Sequence, residues 1–189
     1  MAKESAERLA DSWMRVLPGI RASARYAVAA SLHLMGRLEE SLAASAGLDR
    51  DRLAPTTRSD FDSLDAASLV LLDREPDRVI ELLRVVAAPE DRVLLALAHQ
   101  AKGEESEVLE AAPKDDDRAS VFHYLVGLHA LRAGDTAAAQ RSFRRAADSP
   151  HSNVYTRRAR AYFDTPVEEQ GPSSLAPQVV ATDALPPRA

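Results

Sequence analysis

The sequence predicts an all-α fold, and three observations predict it. The chain is 46% hydrophobic but only 5% aromatic, so its core must be built mostly from Leu, Val and Ala. That composition favours helices, because Ala and Leu are strong helix formers and the aromatic residues that favour strands are sparse. Apolar residues also recur at helical spacing along most of the first 164 positions. Finally, the chain four times writes a periodic run, a tight turn and a second run. Its turns lie near 36, 75, 103 and 134, at spacings of 39, 28 and 31 residues, the range of helical-hairpin repeats.

Taken in order, the first run places Leu9, Trp13, Val16 and Leu17 on one face and predicts a helix over 3–16, ended by Pro18-Gly19. From Ile20 to Ala46 two antiparallel helices are expected about Gly36, followed by a loop, GLDRDRLAPTTRSD. DAASLVLLD and DRVIELLRVV form the second hairpin, with Pro76 tolerated in the first turn, where its missing N–H needs no partner. RVLLALAHQ turns at Lys102-Gly103 into a poorer helix, ESEVLEAA. KDDDRAS leads into VFHYLVGLHALRA, the Gly134-Asp135 turn and TAAAQRSFRRAAD, and NVYTRRARAYF makes a last helix. One domain over 1–164 is expected. Residues 165–189, with five prolines and no periodicity, read as a disordered tail.

The absence of cysteine excludes disulfides, thiolate metal sites and a thiol nucleophile, and suits a cytoplasmic protein. The N-terminal residues carry acidic groups and no unbroken apolar block, so neither a signal peptide nor a membrane span is expected. A formal charge of -5 gives no general attraction to nucleic acid or anionic lipid. None of the five histidines pairs with another at i, i+3 or i, i+4, so no metal site is expected. Asp115, Asp116 and Asp117 read as helix caps. Seven scattered glycines form no phosphate loop, nucleophile elbow or dinucleotide fingerprint. No cofactor and no enzymatic activity are expected.

Set to begin at Ser120, the last hairpin puts Gly127 where its two helices come closest, then Ala139, Phe143 and Ala146 along the second helix, with Pro150 near its end. This stretch resembles a tetratricopeptide repeat. Ala29, Gly36 and Leu42 fall at compatible places in the first hairpin, and Leu95, Ala96 and Gly103 in the third, so the resemblance spans about residues 20 to 163. It implies a right-handed superhelix of about four hairpins plus a terminal helix, in which Phe143 fills the gap between one hairpin and the next. It also implies a concave groove lined by the first helix of each hairpin. By register that groove carries Tyr26 and His33, then Tyr124, Leu128 and Arg132, then Tyr155, Arg158 and Tyr162. Tyrosine and arginine are common anchors of protein recognition. Tyr155 and Tyr162 have an equal second reading, as residues that close the end of the stack.

The family's clamp for a terminal carboxylate needs lysine, asparagine and arginine at sites that here hold Tyr26, Ala30, Ala66, Glu90 and Leu94; no chaperone C-terminus is expected to bind. A second charge signal is the crowding of Arg132, Arg141, Arg144, Arg145, Arg157, Arg158 and Arg160 near the end, against an acidic 104–117. The expected function is a non-catalytic bacterial adaptor for a protein or peptide partner, one with an acidic segment if the arginines are used. A secretion or assembly chaperone is its narrower form. A nucleic-acid regulator and a structural subunit of a larger complex stand as alternatives.

Overall fold

Gly36 adopts a left-handed φ of +85° and Gly134 one of +82°, a backbone state that costs glycine little; each reverses the chain between two helices. The computed structural model of the chain describes residues 18–85, 88–104 and 116–164. The expected helix over 3–16, the segment ESEVLEAA and the tail lie outside the described residues.

Eight α-helices and no strand occur among the described residues, as the composition predicts. They are α1 (Pro18–Met35), α2 (Leu38–Ser45), α3 (Pro55–Leu71), α4 (Pro76–Leu82), α5 (Pro89–Ala101), α6 (Asp116–Arg132), α7 (Thr136–Ala147) and α8 (Val154–Asp164). Pro55, Pro76 and Pro89 stand in the first turns of α3, α4 and α5. This corrects the expected loop up to Asp60: α3 begins at Pro55, because proline's fixed φ starts a helix as well there as at Pro76. For the same reason α5 starts at Pro89, ahead of RVLLALAHQ. The turn before α4 has no glycine and instead holds Asp73 and Glu75 at φ 55° and 49°.

Sequential helices pack pairwise: α1 on α2, α2 on α3, α3 on α4, α4 on α5, α6 on α7 and α7 on α8. Beneath them a second set of contacts runs α1–α3–α5–α6–α8 and returns from α8 to α1. These five inner helices therefore form a closed ring, with α2, α4 and α7 outside it.

The small residues let the helices approach. A Cβ on Gly127 would stand 2.7 Å from two ring carbons of Phe143, so only glycine lets α7 lie this close to α6. Ala139, Phe143 and Ala146 are wholly buried along one face of α7. The Phe143 ring centroid is 5.5 Å from Tyr124 on its own hairpin and 4.7 Å from Tyr162 on α8; it fills the gap to the next helix, as expected. Asp135 caps α7 by accepting from the Ala138 N–H at 2.8 Å.

Candidate partner-binding site

Because α8 sits against α1, the space that a groove would occupy is filled from within. Asn153 sets the start of α8 through a reciprocal cap. Its Oδ1 accepts from the Tyr155 and Thr156 N–H groups at 3.0 Å each, while Thr156 Oγ1 accepts from the Asn153 N–H at 3.0 Å. Its Nδ2 also donates to Ser120 Oγ at 3.3 Å, fixing α8 to α6.

Two arginines then fasten α8 to the ends of α1 and α3. Arg157 donates to the Leu34 and Met35 carbonyls at 3.2 and 2.9 Å. Arg158 donates to the Leu71 carbonyl at 3.1 Å. Each cation thus meets unpaired carbonyls at the negative end of a helix dipole.

Tyr155 enters the ring between these anchors. His33 Nε2 lies 2.7 Å from Tyr155 Oη, and His33 Nδ1 lies 2.8 Å from Ser68 Oγ. Ser68 donates its own proton to the Leu64 carbonyl at 3.0 Å, so its oxygen accepts from Nδ1–H and the Tyr155 hydroxyl donates to Nε2. One chain of donors therefore runs from α8 through α1 to α3, and it requires a neutral imidazole. Burial, with a smaller effect of the nearby Arg158 charge, holds the His33 pKa down at about 4. Burial likewise raises the Tyr155 hydroxyl far above its ordinary range. Tyr155 meets Tyr124 edge-on at 5.6 Å, and Tyr124 leads to Phe143 and Tyr162 in one aromatic row.

The structure thus brings together most of the residues the register placed on one wall, but inside the ring. His33, Tyr124, Leu128, Tyr155 and Tyr162 are all buried. Arg158 is half-buried on Leu71. Arg132 is half-buried and donates to Asp73 Oδ1 at 2.7 Å, holding the left-handed turn between α3 and α4. Tyr26 stands apart from the row, half-buried and edge-on to Phe61 at 5.3 Å. A crevice beside Arg132, between Asp73, Val79 and Leu97, measures about 30 Å³, room for water rather than an organic ligand.

Sequence reasoning missed Ser68, Asn153 and the anchoring role of Arg157. A signal existed only for Asn153, whose N-x-x-T spacing is that of a reciprocal helix cap.

Charge on the outside is distributed unevenly. Arg37, Arg50, Arg74, Arg78, Arg118 and Arg132 each pair with a carboxylate. Glu90, at one of the clamp positions, is taken up by Arg118 in a two-pronged contact of 3.0 and 3.1 Å. Arg141, Arg144, Arg145 and Arg160 are exposed, and no described carboxylate lies within 4 Å of any of them. Arg144 stacks over Phe163 at 4.8 Å. Arg160 bridges the Ala147 and Ser149 carbonyls at 3.0 Å. The charge of Arg145 adds to burial in lowering the pKa of His123 on α6.

Among the described residues no three His, Cys, Asp or Glu side chains converge on a metal position, and no helix is long and apolar enough to cross a membrane. Comparison of the chain with known protein families, with curated proteins and with solved structures finds no match.

Proposed function

We propose that this chain is a non-catalytic protein-binding module of tetratricopeptide-like construction, and that it takes an acidic segment of its partner on the outer surface of α7 and the adjoining end of α8. One observation carries the reading. Arg141, Arg144, Arg145 and Arg160 stand together on α7 and α8, exposed and with no described carboxylate within 4 Å. The other exposed arginines without one are Arg21, Arg84 and Arg92, elsewhere on the molecule, and Arg157, bonded to carbonyls of α1; most of the rest pair with carboxylates. Guanidinium groups form charge-assisted, often two-pronged bonds to carboxylates. Arg144 and Arg160 are already positioned by Phe163 and by backbone carbonyls, so ordering them on binding costs less.

The repeat-like construction is supported by the hairpin order, by the glycine approach of Gly127 to Phe143 and by the pairwise packing of successive helices. Binding in the groove through Tyr124, Tyr155 and Arg158 is the second reading, and it requires α8 to leave the ring.

The test measures binding of a labelled Asp/Glu-rich peptide to the full chain by fluorescence anisotropy. Arg141→Glu with Arg145→Glu should weaken binding about tenfold or more, equivalent to at least about 1.4 kcal/mol. Arg84→Glu with Arg92→Glu changes net charge equally but at exposed sites just beyond α4 and on α5, and should do far less. Equal losses from the two pairs would mean unspecific attraction and remove the site. Tighter binding to a polynucleotide, with a steep salt dependence, would favour the nucleic-acid regulator.

A further inference from the structure

The contact that closes the inner ring of helices is built around one buried imidazole with no counter-charge. His33 bonds only to neutral partners, Tyr155 Oη on α8 and Ser68 Oγ on α3. The ionisable groups on the elements packed against α1 are otherwise engaged or of the wrong sign. From α8 the Arg158 cation faces the ring. On α3, Asp65 is bonded to Arg50 and Ser45. On α2, Glu39 and Glu40 are exposed and pair with Arg74 and Arg37. Behind Tyr155 lie Tyr124 of α6 and Glu90 of α5, and Arg118 takes up Glu90. A proton on Nε2 would create a second buried cation beside Arg158. It would also turn Nε2 from acceptor to donor, leaving the Tyr155 hydroxyl proton to find another acceptor.

We propose that this contact is an acid-sensitive latch: when His33 takes up a proton, α8 leaves α1 and α3 and the ring opens at Tyr155, uncovering the inner faces of Tyr124 and Tyr155. The latch stands whether or not the outer arginines hold a partner. Three features make the opening local. The joint between α7 and α8, residues 148–152, forms no helix and is mostly exposed. The Arg157 bonds to Leu34 and Met35 lie at the exposed rim, where water competes for them. The eleven residues of α8 are too few to stay helical without packing. Burial sets the sign. The His33 pKa is about 4 in the closed contact, whereas an imidazole released to water titrates near 6.5, so opening becomes easier as pH falls below that value. The two values give a roughly twentyfold rise in the opening equilibrium between pH 7 and pH 5. Charging of a buried histidine that parts two packed elements is a general form of pH switch.

Hydrogen exchange of the full chain, read by mass spectrometry and corrected for the intrinsic pH dependence of exchange, follows the opening helix by helix. Between pH 7 and pH 5 the α8 amides should exchange roughly twentyfold faster, while those of α5 change less than about twofold. In His33→Gln the side-chain amide can still accept from Tyr155 and donate to Ser68 but does not titrate, so α8 should become indifferent to pH. Three results overturn the latch: α8 exchange in the unaltered chain that ignores pH, an equal acceleration of α5, which is global unfolding, or an acid response of α8 that persists in His33→Gln. Should that variant fail to fold, the His33 ring resonances of the unaltered chain decide. A ring that stays neutral wherever α8 is protected supports the latch, and a ring that charges while the α8 amides remain protected overturns it.

Discussion

The neutral imidazole of His33 is the residue on which the inner contacts converge, since one ring accepts from α8 and donates to α3. Its pKa falls from an unfolded value near 6.5 to about 4 in the fold. A depressed histidine favours the folded state at pH above the unfolded value, and that contribution is lost as pH falls from about 6.5 through about 4. The full difference corresponds to ~3 kcal/mol. The melting temperature should therefore drop between pH 7 and pH 4.5, and His33→Gln, less stable at pH 7, should lose much less over the same interval. An equally steep fall in the variant would assign the acid sensitivity to other groups. His123, also depressed by burial and Arg145, acts with the same sign in both proteins, so the difference between the two curves isolates His33.

Gly127 makes the sharpest steric prediction at this scale. Its added Cβ would meet Phe143 at 2.7 Å, and that ring is wedged between Tyr124 and Tyr162 and has nowhere to move. Gly127→Ala should cost roughly 1–3 kcal/mol by overpacking, despite alanine's better helix propensity. Chemical denaturation will show it, and Phe143→Leu should make the same glycine substitution markedly cheaper. Ala139→Leu should be destabilising to a similar degree, and Ala138→Leu, which is half-buried, less so. Both the approach of Gly127 and the buried row Ala139, Phe143 and Ala146 were legible in the sequence, because small residues at close contacts leave a pattern. The bond from His33 to Ser68 and Tyr155 left none: it joins positions 35 and 122 residues apart.

At the scale of the element, the helices were readable wherever glycine or periodicity marks their ends. The turns at Gly36, Gly103 and Gly134 stand where expected, each with positive φ. The boundary at Pro55 was obscured by polar residues, since TTRSD carries no apolar stripe although the proline itself favours a helix start. The start of α8 is set by the Asn153 cap. Asn153→Ala removes the acceptor for two backbone N–H groups and the bond to Ser120, so it should cost about 1–2 kcal/mol. Loss of stability below a few tenths would show that α8 is held by packing alone. Arg158→Glu belongs here too: with its guanidinium bonded to the end of α3, it should lower the melting temperature, and any loss of partner binding it causes must be separated from that.

For the whole molecule, the hairpin order suggested a right-handed superhelix with a lined groove; in the structure α8 also touches α1, which closes the inner set of helix contacts. Closure depends on side chains from opposite ends of the chain, and no local pattern encodes it. Tyr124, Tyr155, Phe143 and Tyr162 bury their rings in one row, which is why the proposed binding surface is sought among the outer arginines instead. The ring can be tested in a chain that contains no cysteine. A Cβ on Gly36 would lie 3.9 Å from the Val154 Cβ, within the separation a disulfide bridges. Oxidation of the Gly36→Cys, Val154→Cys double variant should give a monomeric crosslink joining the two positions, seen as faster migration on a non-reducing gel and confirmed by peptide mass spectrometry. Free thiols after oxidation of the folded double variant, or crosslinks only between molecules, would contradict a ring closed by the last helix on the first.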